Sequence, residues 1–183
     1  MNSPFLEVLR RRVVVFDGAM GTSIQKHELT AEGYGGKEGC NEYLVLHNPD
    51  LIRGIHRSFL EVGCDAIETD TFGGSRLKLG EYGLADRTHE VNFEAARLAR
   101  RIADEFSSPD KPRFVAGSLG PTGMLPSTED PELGRISFDE LADIFAQQAR
   151  ALVEGGVDVL LIETKFNNSS RRPFSEVRGS SWF

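Results

Sequence analysis

Short apolar runs alternate with amphipathic segments along this chain. Each run is rich in branched or aromatic residues, and three of the four end directly in glycine or polar residues, which is typical of parallel strands. The runs occupy residues 13–16, 66–67, 114–116 and 157–162. We therefore predict four strands, the last of them buried, whose ends present side chains that can line a site.

Between the runs, three segments repeat apolar residues at spacings of three and four, which predicts amphipathic helices. They cover residues 48–62, 89–106 and 137–154. Gly63 ends the first helix, and Ser137 with Glu140 has the pattern of a capping box at the start of the third. Strands that alternate with helices in this way predict a parallel sheet with right-handed crossovers, hence an α/β fold.

A closed barrel and an open doubly wound sheet both show this alternation. No G-x-G-x-x-G motif follows the first strand, and no G-x-x-x-x-G-K-[ST] motif occurs in the chain. The sequence therefore lacks the motifs typical of open sheets that bind nucleotides, and the barrel is favoured. In barrel enzymes the functional groups stand at the C-terminal ends of the strands.

Composition and charge indicate which kind of molecule this protein binds. The chain has 183 residues, which fits one domain, and its 28 acidic and 21 basic residues give a formal net charge of -7 that disfavours nucleic acid. No apolar stretch is long enough to span a membrane, and the N-terminus lacks the apolar region of a secretory signal. We expect a cytoplasmic protein that binds small molecules.

The loop after the first predicted strand reads Asp-Gly-Ala-Met-Gly-Thr at residues 17–22. Asp17 supplies a carboxylate, and a flexible turn through Gly18 and Ala19 lets backbone amides approach a ligand closely. Such a turn is suited to cradling the carboxylate of an amino acid. The alternative is that Gly18 and Gly21 only shape a tight loop.

Carboxylates also follow two later strands. Glu163 comes directly after the fourth run, where a carboxylate is costly to bury unless it is paired, so it is a candidate for holding a ligand ammonium. The alternative for Glu163 is a helix-capping acid. Asp70 lies between Thr69 and Thr71 in a polar cluster at the end of the second strand. A purely structural hydrogen-bonding role for this cluster is equally open.

Metal-ligating residues do not stand out. Cys40 and Cys64 have no close metal-ligand spacing and are interpreted as reduced thiols. The histidines lie away from the predicted strand ends, without spaced partners. They are His27, His47, His56 and His89. We predict no metal ligand among these side chains.

Several stretches together resemble the homocysteine-binding S-methyltransferase domain. They are VFDGAMGTSIQ, ETDTFGGSRLKLGEYGL, NFEAARLAR, VAGSLGPTGMLP and ALVEGGVDVLLIET, in order and at the expected spacing from about residue 10 to Thr164. Within this family the chain is most similar to the N-terminal module of cobalamin-dependent methionine synthases.

The resemblance implies a (β/α)8 barrel in which homocysteine binds at the strand ends as a zinc thiolate and attacks a methyl group. Asp17 and Gly18 correspond to positions at the amino-acid end of homocysteine, and Glu163 to a residue that meets the substrate ammonium. Asp70 falls where relatives commonly carry Asn or another polar residue. For full-length relatives the resemblance implies methylcobalamin or 5-methyltetrahydrofolate as the methyl source.

The resemblance also implies three zinc-binding cysteines, one after the sixth strand and an adjacent pair after the eighth. Neither Cys40 nor Cys64 matches these positions. We therefore expect residues 1–164 to form the first half of the barrel, about four β/α units, and residues 165–183 to be a divergent, disordered tail. Such a fragment is expected to lack methyltransferase activity on its own.

Two alternatives have different consequences. The half-barrel can serve as a non-enzymatic binding or interaction module, whose open sheet edges favour self-association. A barrel enzyme of another chemistry, such as an aldolase or lyase, needs a Schiff-base lysine at a strand end. Lys165 is the lysine that follows a predicted strand end, and it lies at the junction with the tail.

Overall fold

The computed structural model describes residues 3–124 and 134–164 of the chain. Its elements alternate between helix and strand after an N-terminal helical segment. The helices are α1 (Pro4–Arg11), α2 (Met20–Gln25), α3 (Leu44–His47), α4 (Pro49–Val62), α5 (Arg76–Gly80), α6 (Thr88–Phe106) and α7 (Phe138–Glu154), with 3-10 turns at Asn41–Tyr43 and Ala85–Arg87. The strands are β1 (Ala66–Glu68), β2 (Phe114–Leu119) and β3 (Val159–Ile162).

The three predicted helices are confirmed as α4, α6 and α7, and their ends follow from local chemistry. Pro49 occupies the first turn of α4, and Gly63 ends that helix in the left-handed region at φ 105°, where glycine has no steric penalty. At the start of α7 the Ser137 hydroxyl accepts a hydrogen bond from the Glu140 amide at 3.1 Å, as a capping box requires. The shorter helices α1, α2, α3 and α5 lacked a long enough apolar period to be predicted.

The strands form one parallel sheet in the order β1-β2-β3. Ala66 lies opposite Phe114, and Leu119 lies opposite Ile162. Every residue of β2 is buried, so the middle of the sheet lies in the core. An apolar cluster with members from α4, α6, β1 and β2 packs one side of the sheet, and Ile136 packs with residues of α7 in a second cluster.

The first predicted strand is wrong as a full strand. Residues 13–16 pair with β1 only through a single parallel bridge, Phe16 to Ala66. The Asp65 carboxylate accepts the Val15 amide at 3.0 Å, so a side chain takes up a donor that would otherwise extend the ladder. Val13 is 80% exposed and Val15 54% exposed, which leaves this segment at an edge of the sheet within the described residues.

The burial predicted for the last strand is also wrong. All four residues of β3 are only partly buried, because β3 is the other edge of the described sheet and pairs with β2 alone. An apolar run does not distinguish a central strand from an edge strand. The tail predicted for residues 165–183 lies outside the described residues.

An α/β fold with a parallel sheet is thus confirmed. Across residues 3–124 and 134–164, no helix combines the length and apolar character that crossing a membrane requires.

Candidate functional site

A cavity of about 460 Å³ opens at the C-terminal ends of the strands. The loops after residue 16, β1 and β3 bring all five predicted site residues to its wall. Its lining consists of Asp17, Gly18, Ala19, Met20, Gly21, Asn41, Glu42, Glu68, Thr69, Asp70, Phe72, Ser118 and Glu163. No Lys, Arg or His is among these described lining residues, so the cavity is acidic.

Three of the acidic residues, Asp17, Glu68 and Glu163, are referred to here as the strand-end carboxyls. Both oxygens of Asp17 accept the Glu68 amide, each at 3.1 Å. The Ser118 hydroxyl donates a hydrogen bond to Glu163, which holds that carboxylate against β2. The Glu68 amide and the Ser118 hydroxyl therefore hold the carboxyl groups of Asp17 and Glu163 at the wall of one cavity, where a ligand can meet both.

The strand-end carboxyls repel one another. Burial raises the pKa of Asp17 to about 7, and the charge of Glu68 adds to this effect. Burial also raises the pKa of Glu68, with a further contribution from Glu163. Because crowded carboxylates are stabilised by a nearby cation, this part of the cavity favours a positively charged ligand group.

The remaining two acidic residues, Glu42 and Asp70, are referred to as the loop carboxyls. Glu42 precedes α3, and its Oε1 accepts the Gly73 amide at 2.7 Å. Asp70 is only 5% exposed, and its Oδ2 has no hydrogen-bond partner among the described residues. Burial raises the pKa of both groups, and the charge of Glu42 raises that of Asp70 further.

Thr69 and Thr71 have the structural role that was one of the two alternatives for this cluster. The Thr71 hydroxyl donates to the Ser118 carbonyl at 2.8 Å, and the Thr69 hydroxyl oxygen accepts the Ser118 amide at 3.0 Å. The two hydroxyl oxygens lie 2.6 Å apart. These bonds join the end of β1 to β2, and Thr69 and Asp70 both line the cavity.

The loop that carries Asp70 is anchored from behind. The Gln148 side-chain amide donates to the Thr71 carbonyl at 2.8 Å, and the Asn92 amide donates to the Gly74 carbonyl at 2.7 Å. A Cβ at Gly74 would lie 2.5 Å from Asn92 Oδ1, so glycine is required for this close approach. The cavity wall is therefore held in place by α6 and α7.

The loop after the first predicted strand is more ordered than expected. A flexible turn was predicted for residues 17–22, but helix α2 begins at Met20. A Cβ at Gly18 would lie 3.1 Å from the Phe59 ring, so glycine here permits close packing on α4. Gly18 and Ala19 line the cavity, and their backbone amides have no acceptor among the described residues.

The two cysteines do not fit a metal site. Burial raises the pKa of Cys40 and of Cys64 to about 11 in each case, so their surroundings disfavour the thiolate form in which cysteine binds a metal. Within residues 3–124 and 134–164, no group of three or more His, Cys, Asp or Glu side chains is placed to hold a metal ion.

Comparison with known families decides where the chain belongs. Residues 14–171 match the homocysteine S-methyltransferase family, which is most of the chain. The chain is a member of this family. The resemblance predicted from its motifs is therefore confirmed.

Two methionine synthases are similar to this family member over most of its length. The enzyme of Mycobacterium tuberculosis is 42% identical over 163 residues, and that of Mycobacterium leprae is 41% identical over 163 residues. These alignments cover 89% of this chain but 13% of each relative. The chain thus spans a small part of the length of these proteins.

Solved structures support the fold of this family member. The homocysteine methyltransferase MmuM from Escherichia coli superimposes in its metallated form with a TM-score of 0.77 at 21% identity. Its oxidized form gives a TM-score of 0.79, also at 21% identity. The chain covers 62% and 63% of these two structures, which in turn cover 97% and 98% of it.

Sequence reasoning missed two acidic residues of this cavity. Glu68 ends β1 as Glu163 ends β3, so the rule that selected Glu163 would also have selected Glu68. Glu42 had no comparable signal, because it reaches the cavity from a turn about thirty residues before the Gly73 amide that it accepts. Ser118 gave no signal either, since it lies within a strand.

Proposed function

We propose that this chain supplies the part of a homocysteine S-methyltransferase that binds the amino-acid end of homocysteine. One observation carries the proposal: three strand-end carboxyls converge on a cavity whose described lining contains no basic side chain. A ligand ammonium would neutralise this cluster, and membership of the family supports homocysteine as the ligand.

The proposed roles follow the geometry. Asp17 and Glu163 accept hydrogen bonds from the ammonium, and Ser118 keeps Glu163 in position. The backbone amides of Gly18 and Ala19 donate to the ligand carboxylate, as predicted for the turn from the sequence. Glu68 adds negative charge between Asp17 and Glu163. In this arrangement the α-carbon of the ligand lies between the first loop and the end of β3.

None of the described residues is placed to activate the thiol of the ligand. In this family zinc, when bound, supplies the chemistry that makes the homocysteine thiol a thiolate nucleophile at neutral pH. Cys40 and Cys64 do not fit that metal, because neither belongs to a group of three ligating side chains within the described residues. We therefore propose that this chain alone binds homocysteine without methylating it. Methylcobalamin and 5-methyltetrahydrofolate stay predictions for the longer methionine synthases.

We further propose that the described sheet is the first half of a (β/α)8 barrel. The parallel order β1-β2-β3, with residues 13–16 beside β1, supports this arrangement. The likeness to MmuM over nearly the whole chain supports it as well.

A non-enzymatic interaction module is the second candidate. The exposure of Val13 and Val15 at one edge of the sheet favours it, because an unpaired apolar edge is a template for association with another chain. Self-association through the two edges is the form that we propose. The alternative aldolase or lyase chemistry rests on Lys165, which lies outside the described residues.

Calorimetric titration of the purified chain with L-homocysteine tests the proposed function. We expect binding that Glu163→Gln weakens about tenfold or more, because the acceptor of the ammonium's hydrogen bond loses its negative charge. Glu61→Gln is the matched control, since Glu61 lies on the exposed face of α4. As a ligand control, 4-mercaptobutanoate keeps the thiol and carboxylate but lacks the ammonium, and it should not bind. Equal binding of both ligands would refute the proposal.

A further inference from the structure

An amino-acid ligand brings a carboxylate as well as an ammonium into this cavity. The described lining contains five acidic side chains and no basic one, so a second negative charge enters a repulsive field. The amides of Gly18 and Ala19 can donate to it, but they do not remove the charge of neighbouring carboxylates. Acceptance of the ligand carboxylate is favoured if one acidic side chain is neutral and donates a hydrogen bond.

The loop carboxyls form a separate pair from the strand-end carboxyls. Electrostatic coupling links Asp17 to Glu68 and Glu68 to Glu163, whereas Asp70 is coupled to Glu42. Two buried carboxyl groups that interact closely do not both ionise near neutral pH, because each charge disfavours the other. Retention of a proton by one member of the pair is therefore favoured.

Hydrogen bonding decides which member retains it. Glu42 accepts the Gly73 amide at 2.7 Å, and the charge of Lys78 also favours its ionised form. The Asp70 Oδ2 atom has no partner among the described residues, so nothing there stabilises a negative charge on it. The proton is accordingly better placed on Asp70.

The other titratable groups around Asp70 do not reverse this assignment. Tyr34 and Cys40 are the further described groups that interact with its charge. Burial raises the pKa of both, so both are neutral near pH 7. Across the cavity, the strand-end carboxyls add only negative charge, which again disfavours ionisation of Asp70.

We propose that Asp70 acts as a neutral carboxylic acid that donates a hydrogen bond to the carboxylate of the bound amino acid. The proposal rests on the proposed function, because it assumes that the strand-end carboxyls take the ammonium. It assigns the strand-end carboxyls to the ammonium of the ligand and Asp70, one of the loop carboxyls, to the carboxylate of the ligand. Asp70 is then a specificity-determining residue, which distinguishes an α-amino acid from a simple amine.

Two ligands without a free thiol test whether Asp70 binds the carboxylate of the amino acid. L-Methionine carries both charged groups, and 3-(methylthio)propylamine is the same skeleton without the carboxylate. Both are titrated calorimetrically into the unaltered chain and into Asp70→Ala, Asp70→Asn and the exposed control Asp86→Asn, after thermal melts show that each variant folds.

We expect Asp70→Ala to weaken methionine binding about tenfold or more while changing amine binding less than about threefold. Asp70→Asn keeps a donor and should bind methionine more tightly than Asp70→Ala. The preference of the unaltered chain for methionine over the amine should fall as pH rises and Asp70 ionises, and that of Asp70→Asn should fall less, because only the other acidic groups of the cavity then ionise.

Three outcomes overturn the proposal. An equal loss of both probes in Asp70→Ala would show that Asp70 shapes the cavity or meets the ammonium. A loss in Asp70→Asn as large as that in Asp70→Ala would show that an ionised carboxylate is required. Binding of neither probe by a chain that still binds L-homocysteine would overturn this inference alone, whereas failure to bind L-homocysteine as well would refute the proposed function. The first two outcomes leave the proposed function standing.

Discussion

The backbone amide of Glu68 donates to both carboxylate oxygens of Asp17, each at 3.1 Å. This bond joins the first loop to the end of β1, although the Glu68 side chain repels the carboxylate that its own amide holds. Asp17 is consequently fixed in a place where its negative charge is disfavoured. Binding of a cation relieves this conflict, so function and stability make opposite demands on Asp17.

Asp17→Asn should therefore stabilise the fold at alkaline pH. Burial raises the pKa of Asp17 from 3.8 to about 7, so its contribution to stability is present below pH 3.8 and is lost as pH rises through 7. At pH 8 we expect the variant to be more stable by about 1–3 kcal/mol, with little difference near pH 4. Urea unfolding at both pH values measures this, with Asp86→Asn as the exposed control. A variant less stable at pH 8 would contradict it.

Ligand binding should release protons near pH 7. An ammonium beside Asp17 favours its charged form and lowers its pKa below about 7, so part of the population loses a proton on binding. Calorimetry of L-methionine in buffers with different ionisation enthalpies should show a release of up to about one proton per site. Asp17→Asn should release less, and an unchanged release in that variant would exclude Asp17 as its source.

His56 should make the fold sensitive to acid. It is fully buried, both ring nitrogens lack partners among the described residues, and burial lowers its pKa from 6.5 to about 4. Its neutral form is favoured in the fold, so stability is complete above pH 6.5 and falls as pH drops towards 4.

The expected loss attributable to His56 is about 3 kcal/mol. His56→Met should flatten the decline in thermal stability between pH 6.5 and 4. His27→Met, at an exposed position, should leave it unchanged. If the two variants show the same decline as the unaltered chain, another buried group is responsible.

Gly74→Ala should destabilise the chain and weaken ligand binding. Its Cβ would lie 2.5 Å from Asn92 Oδ1 and 2.8 Å from Gln148 Nε2, so the anchors of the Asp70 loop must shift. We expect a loss of about 1–3 kcal/mol. Gly54→Ala is the matched control: no atom of the described residues lies within 4 Å of its Cβ, and in the interior of α4 it should stabilise by about 0.5–1 kcal/mol. Chemical unfolding compares the two.

Self-association should depend on the exposed edge of the sheet. Val13→Lys and Val15→Lys place charge at positions that are 80% and 54% exposed, and charge on an edge disfavours pairing with another chain. Light scattering should show a smaller average mass for the double variant than for the unaltered chain. A stable monomer in both would refute association through this edge.

Sequence periodicity predicted the long helices because their apolar faces repeat over several turns. The alternation of these helices with apolar runs then predicted the parallel sheet. The short helix α2 has too few residues for such a pattern. Residues 13–16 show that an apolar run does not reveal how many backbone hydrogen bonds it makes to a neighbouring strand. The five predicted site residues line one cavity because strand ends in a parallel sheet share an edge. Glu42 was missed because its position depends on a tertiary contact with Gly73.

The threonines on either side of Asp70 have a consequence for engineering. The cross-links between β1 and β2 lie at positions 69 and 71, and in the described part of the chain no hydrogen bond to Oδ2 at position 70 supports the sheet. Side chains of similar size can therefore be exchanged at position 70 without breaking those cross-links. A library of side chains of similar size at this single codon, screened against a panel of amines and amino acids, would vary ligand preference on a constant scaffold.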